Sequence, residues 1–410
     1  MMQSMYSGVA GLNTQQTEMD VIGDNIANVS TVGFKSSDAI FEEALAQTMQ
    51  GASTPTKNLG GSNPVQIGLG VQIGSIQVSQ SQGSLTNTGK NTDLAVDGAG
   101  FFVMGGPGGE KYFTRDGAFG LDGQCHLVSP SNGYFVEGWQ ADVDGNIKSD
   151  QPVSPIQVPL GSSIVARASD AGAMEGNLDS GTAVGGQVTS AINLYDSLGN
   201  CRSVTLTFTN EGNNSWSWAA SGSGVKAGSK NQGTITYNPD GVVVSSTGTV
   251  ELDNSATGAQ SPQDIALDFT KTTQYAASST MSPANQNGYP AGTLDSFTIS
   301  ATGVVTGTFT NGINKAVGQI ALANFSNPSA LQRMGNSLFQ PSNNSGLANV
   351  GTAQSGGRGA INTGTLEASN VRLADQFTDM IQTERAYEAN SKIISVADEM
   401  LQDLVNLKRA

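Results

Sequence analysis

The sequence predicts a multidomain, mainly β protein whose N- and C-terminal α-helices pair as a coiled coil around discontinuous, nested domains. Three observations carry this: seven-residue apolar periods occur only near the termini, Gly-bearing turn signals crowd the middle, and polar Gly-rich segments separate the two. The 410 residues exceed one ordinary domain of roughly 100–200, so two or three cores are expected.

At the N-terminal end Met5, Leu12, Met19 and Ile26 recur every seven residues, with Val9 and Ile22 beside them and polar residues elsewhere. This predicts an amphipathic helix of about 25 residues, which Gly33 can stop. Residues 51–63 and 341–364 are polar and Gly-rich and read as connectors. Between them, from about residue 65 to 340, short β-branched and aromatic runs are punctuated by Asp116-Gly117, Asp122-Gly123, Asn132-Gly133, Asp144-Gly145 and Asp240-Gly241, which are hairpin signals.

At the other end Leu366, Leu373, Met380, Tyr387, Ile394 and Leu401 hold an unbroken seven-residue period, supported by Phe377, Ile381, Ala397 and Leu404. Thr365 as N-cap, Glu367 in the first turn, a Glu388/Lys392 pair, and Lys408 with Arg409 at the end agree with helix polarity. Neither narrow apolar stripe has a globular core to face. The two can pair with each other and with copies in neighbouring subunits, and a heterologous contact that does not close builds a helical filament. An intramolecular coiled coil carrying a β-head satisfies the same pattern.

Composition narrows the function. Gly supplies 52 residues and charged residues only 13%, a turn-rich, ion-poor profile. With 19 Lys and Arg against 34 Asp and Glu, the net charge of -15 repels a phosphate backbone, so nucleic acid is not expected as a partner. No run approaches the ~18 apolar residues of a membrane span, and no cleaved secretory signal is expected. Cys125 and Cys201 lie far apart without metal-binding spacing and read as two incidental thiols.

An enzyme would need a catalytic constellation, and the single histidine, His126, reads as an ordinary strand residue. Asp142-Val143-Asp144-Gly145-Asn146 resembles the start of a calcium loop. It has Ile147 where a Gly is needed and Val153 where a bidentate Glu is needed, so a hairpin turn is expected. Asp93 and Asp97 on one strand face would stand about 13 Å apart, too far for paired glycosidase carboxylates. Gly98-Ala99-Gly100 lacks the third glycine of a phosphate loop and reads as a tight turn. Catalytic residues, metal ligands and cofactors are therefore not expected.

The run from Asn25 and Asn28 through Gly33, Phe34 and Lys35 (Asn25-Ile26-Ala27-Asn28-Val29-Ser30-Thr31-Val32-Gly33-Phe34-Lys35) resembles the signature of the flagellar rod, hook and hook-associated axial proteins. Physically it is a helix end with two Asn side chains, a Gly turn and an aromatic anchor. Asp93–Val103, Tyr112–Gly117 and Gly133–Trp139 resemble the family's first β-domain, and Gly318–Phe325 with the tail from Thr365 to Arg409 resembles its C-terminal half. Within the family, rod members are shorter and lack so large a middle insert, which favours the hook branch and leaves a straight distal-rod tube as the alternative.

The resemblance implies a polymerisation core at 1–30 plus 365–410, with Met5, Leu12, Met19, Ile26, Leu373, Phe377, Met380, Tyr387, Ile394 and Leu401 at the interface. Around it would lie a linker layer at 31–64 plus 341–364, an inner β-domain at 65–150 plus 290–340, and an outer insert at 151–289. It implies as partners copies of the chain itself, the flagellar rod, the hook cap, the hook-filament junction proteins and the type III export apparatus, which would carry the chain out of the cell uncleaved. Phe41 and Leu45 in Phe41-Glu42-Glu43-Ala44-Leu45 resemble the family's export-recognition segment, and by spacing are equally one turn of an amphipathic helix.

Overall fold

The computed structural model describes residues 2–54, 60–226 and 229–407. It is mainly β, with helix α1 (Met2–Ala27) at one end of the chain and helix α2 (Leu373–Leu407) at the other. The contacts divide the chain into two units, one of residues 1–158, 297–306 and 316–410, the other of residues 159–296 and 307–315.

In the first unit, Phe101–Gly105 pairs with Lys111–Thr114 and with Phe135–Gln140, all antiparallel. The strand ending at Asn324 joins them through Gly138–Ile320 and Leu322–Phe102. Alternate residues point inward, and Phe101, Phe113, Trp139, Phe325 and Phe339 close one core. Phe113 and Phe325 meet edge to face at 4.9 Å, the arrangement that ring quadrupoles favour.

Shorter strand pairs lie outside that sheet. Ser37–Glu43 pairs with Val71–Val78, and Ala46–Gln50 with Val65–Gly68. This ribbon covers one side of α1: a Cβ on Gly70 would lie 3.2 Å from the Ala10 Cβ.

The second unit is a β-sandwich. One sheet runs Gln187–Tyr195, Cys201–Gly212, Ser215–Gly222, Gln232–Tyr237, Val243–Ser246, antiparallel throughout. The other orders Thr249–Leu252, Gln263–Thr273, Ala171–Asn177 and Ser282–Gln286, with its two middle strands parallel. Phe208 and Trp218 of the first sheet meet Phe269 of the second inside a continuous core.

The turns expected at Asp122-Gly123, Asn132-Gly133, Asp144-Gly145 and Asp240-Gly241 are present, whereas Asp116-Gly117 is irregular chain between Lys111–Thr114 and Gly120–Leu121, which do not pair, so its hairpin reading is corrected. At Asp142–Asn146 the Asp142 Oδ1 accepts the Asp144 and Asn146 amides at 3.0 and 2.9 Å, holding its pKa below the ordinary value, and Gly145 takes φ +86°. Gly98 and Gly100 turn the chain between two strands. Asp93 is buried and accepts the Thr88 hydroxyl at 2.6 Å. Cys125 and Cys201 are free thiols.

Several expectations are corrected. Thr365, Leu366 and Glu367 do not begin a helix but form a strand against Leu85–Asn87, a long-range pairing that local periodicity cannot show. Helix α2 starts at Leu373, with Asp375 in its first turn paired to Arg372 at 2.6 Å. Glu388 pairs with Arg385 at 2.8 Å, not with Lys392. Lys408 and Arg409 lie outside the described residues. The stretch 341–364 is not structureless: Asn349–Thr352 and Ala360–Thr363 both pair into the first unit. Phe41 lies in a strand opposite Ile73 and Leu45 in the bend after it, so the helical-turn reading of this segment is wrong.

Candidate polymerisation interface

Helices α1 and α2 pack antiparallel in a fixed register. A Cβ on Gly11 would lie 2.6 Å from the Asn390 Nδ2, the Glu18 carboxyl faces the Thr383 hydroxyl, and the Asn25 amide donates to the Gln376 Oε1 at 2.8 Å. Each contact steps seven residues along both helices, in opposite directions, so polar partners fix the alignment. Burial raises the Glu18 pKa, the Thr383 hydroxyl lowers it and Asp379 adds to the rise.

The closest-packed row of α2 is therefore Gln376, Thr383, Asn390 and Ala397, not the expected apolar series. The seven-residue period is present, but the innermost row lies four residues earlier, because Gly8 and Gly11 bring the backbones close enough for short polar side chains. Met380, Ile394 and Leu401 are half-buried beside this row. Leu373, Phe377 and Tyr387 are exposed, as is Ile381 at 57%. On α1, Met5, Leu12, Met19 and Ile26 are half-buried, while Tyr6 and Val9 face out. An apolar face on α2 is thus left open after the two helices have met.

The last turn of α1 and the residues following it tie the pair to the β-structure. Asn25 accepts the Ser37 amide at 2.9 Å and donates to the Ser37 carbonyl at 2.8 Å. Asn28 donates back to Asp24 and accepts from Thr31. Gly33 does not cap the helix, which ends at Ala27. It takes φ +67°, and a Cβ there would lie 2.5 Å from the Asp116 nitrogen, so a bare backbone is required. The Arg333 guanidinium lies over the Phe34 ring at 4.7 Å and pairs with Asp24 at 3.5 Å.

Lys35 enters a buried charge cluster that sequence reading missed. Its Nζ donates to the Glu367 Oε1 at 2.7 Å and to the Ser81 carbonyl at 2.8 Å, while the Arg115 Nη1 reaches the Glu367 Oε2 at 3.3 Å. Glu367 also accepts the Gly83 amide, and Arg115 donates to the Val96 and Gly98 carbonyls. Burial pushes the Lys35 and Arg115 pKa values down and the carboxylate opposes it. Arg115 and Lys35 both stood in recognised motifs. Their common partner did not stand out, because Glu367 read as a helix-start residue.

No comparable chemistry surrounds His126, whose Nδ1 lies 3.3 Å from Asp122 and whose ring meets Phe135 edge on. Among the described residues no helix is long and apolar enough to cross a membrane.

Residues 5–35 match the family model described as flagella basal body rod protein, and 362–407 the flagellar basal body rod FlgEFG protein C-terminal. Residues 95–169 match the flagellar hook protein FlgE/F/G D1 domain, and 167–289 the flagellar basal body protein FlaE D2 domain. Over their full lengths, this chain and the flagellar hook protein FlgE of Treponema pallidum are 36% identical, and the same holds for that of Borreliella burgdorferi. The chain belongs to the flagellar hook protein FlgE family. The FlgE of Salmonella typhimurium is 31% identical over 99% of this chain and all of its own. The crystal structure of Helicobacter pylori flagellar hook protein FlgE2 has the same fold over 69% of this chain and all of its own, at a TM-score of 0.55 and 13% identity. These full-length FlgE relatives do not favour the distal-rod alternative.

Proposed function

We propose that this chain is the repeating structural subunit of a bacterial flagellar hook, self-assembling into a curved, bendable tube that transmits motor torque from rod to filament. It works outside the cell and is not an enzyme. The observation that carries the mechanism is the division of labour on α2: a polar row locks the intramolecular pair, and an apolar row including Phe377 and Ile381 stays open to solvent. An open apolar helix face in a family of polymer subunits supports packing against neighbouring copies.

In this reading helices α1 and α2 pair as a coiled coil, and the terminal segments that carry them, 1–30 and 365–410, form the rigid core. The segments 31–64 with 341–364, then 65–150 with 290–340, and finally 151–289 lie progressively further out. Bending a rotating tube lengthens and shortens each row of subunits once per turn, so rigid cores with exchangeable polar contacts outside them suit the task. The rod, the hook cap, the junction proteins and the export apparatus are its further partners.

Substituting Ile381→Asp tests the core, because a carboxylate packed without a partner costs several kcal/mol or must protonate. Ile381 is exposed in the monomer, so its melting should be unchanged while tubes seen by electron microscopy disappear. Normal tubes would sink the proposal.

A further inference from the structure

We infer that Asn213, at the tip of a hairpin in the second unit, is the acceptor of an N-linked sugar. Transferases that glycosylate asparagine read a hydroxyl two residues further on and tolerate no proline between, the Asn-x-Ser/Thr pattern. The chain carries it four times: Asn28-Val29-Ser30, Asn213-Asn214-Ser215, Asn324-Phe325-Ser326 and Asn343-Asn344-Ser345. Asn327-Pro328-Ser329 is excluded by its proline. The pattern weighs the four equally; their surroundings do not.

The reacting atom is the side-chain amide nitrogen. Its lone pair is delocalised into the carbonyl, so a transferase must turn the amide out of conjugation, and hydrogen bonds that already hold the amide oppose that turn. The Asn28 Nδ2 is held in this way, donating to the Asp24 carbonyl at 3.0 Å and to the Asp24 Oδ1 at 2.9 Å. Asn324 is half-buried in a strand, its Oδ1 accepts the Phe325 amide at 2.9 Å, and Phe325 lies in the core. Asn343 is exposed, but the hydroxyl read with it is not: Ser345 is fully buried and donates to the Ser342 carbonyl at 2.9 Å.

Asn213 meets both demands. Strands Cys201–Gly212 and Ser215–Gly222 leave Asn213 and Asn214 as the whole connection, at φ +53° and +57°, the left-handed pair that a tight hairpin turn needs and that asparagine tolerates. Both are exposed, and among the described residues neither the Asn213 side-chain amide nor the Ser215 hydroxyl makes a hydrogen bond. The Tyr237 amide donates to the Asn214 carbonyl at 2.9 Å, and Ser215 pairs with both Gly212 and Thr236, so the backbone of the tip is fixed while its amide stays free.

The donor is a sugar joined through its anomeric carbon to a diphosphate, carried on a nucleoside or on a membrane polyprenol. In the transfer a bond forms between the Asn213 Nδ2 and the anomeric carbon, and the bond from that carbon to the diphosphate oxygen breaks. The diphosphate leaves with the electron pair, and the nitrogen gives one proton to a base of the transferase. The product is a neutral secondary amide, with nothing oxidised or reduced.

The test is peptide mass spectrometry of the full chain purified from the cells that make it. The peptide holding Asn213 should carry the mass of one or more sugars on the asparagine, and those holding Asn28, Asn324 and Asn343 none. Ser215→Ala leaves the turn residues in place and should abolish the added mass, Ser215→Thr should keep it, and both variants should melt with the parent. A run of one repeated hexose identifies the nucleoside-carried donor; a preassembled mixed oligosaccharide identifies the polyprenol-carried one. Unmodified Asn213, a sugar that survives Ser215→Ala, or a sugar on the Ser215 oxygen or on any of the other three asparagines overturns the inference.

Discussion

Lys35 and Glu367, 332 positions apart, meet at 2.7 Å with side chains only 1% and 0% exposed. Arg115 shares the same carboxylate, so one anion serves two buried cations and joins the segment after α1, the first β-domain and the strand before α2. Removing Glu367 leaves two uncompensated charges; removing Lys35 leaves a neutral pair. Glu367→Gln should cost the first unit about 3–5 kcal/mol in chemical denaturation, and Lys35→Met distinctly less. An equal loss from both would show that the carboxylate is not the hub.

The helix pair should respond to acid through Glu18. Burial raises its folded pKa above the ordinary 4.5. In the window from that value up to the folded pKa the folded state binds the extra proton, so stability falls as pH rises through the window and is regained on acidification. Glu18→Gln should raise the thermal midpoint at neutral pH and flatten its pH dependence in that window. Loss of stability with Glu18→Gln would reverse the sign argued here.

Export can be separated from folding at Leu45, which is 83% exposed in the bend after its strand, whereas Phe41 is half-buried. Leu45→Ala should leave the melting of the monomer within about 0.5 kcal/mol of the parent, as exposed substitutions do, and reduce the protein found in culture supernatant. Unchanged secretion removes the export role of this segment.

The second unit has its own core, from Met174 through Trp216 and Trp218 to Met281. A fragment of residues 159–315 should therefore be a soluble monomer that melts cooperatively, as followed by circular dichroism and size exclusion. A fragment of 65–340 is expected to fare worse, because it lacks the Asn349–Thr352 and Ala360–Thr363 strands and Glu367. A fully folded 65–340 fragment would show those strands to be dispensable.

Local pattern was enough for whatever depends on neighbours in the chain. Apolar residues seven apart announced α1 and the body of α2, and all the Asp-Gly and Asn-Gly pairs but Asp116-Gly117 announced turns, since periodicity and left-handed backbone preference act within a few residues. Short motifs around Lys35 and Arg115 likewise carried the family likeness. Tertiary structure alone decided that Thr365–Glu367 is a strand, that Glu367 is the partner of both cations, and that Gln376, Thr383 and Asn390 rather than Tyr387 form the inner row of the helix pair. Each of these depends on groups separated by about 250 to 380 positions, where pairing, desolvation and the close approach allowed by Gly8 and Gly11 outweigh local propensity.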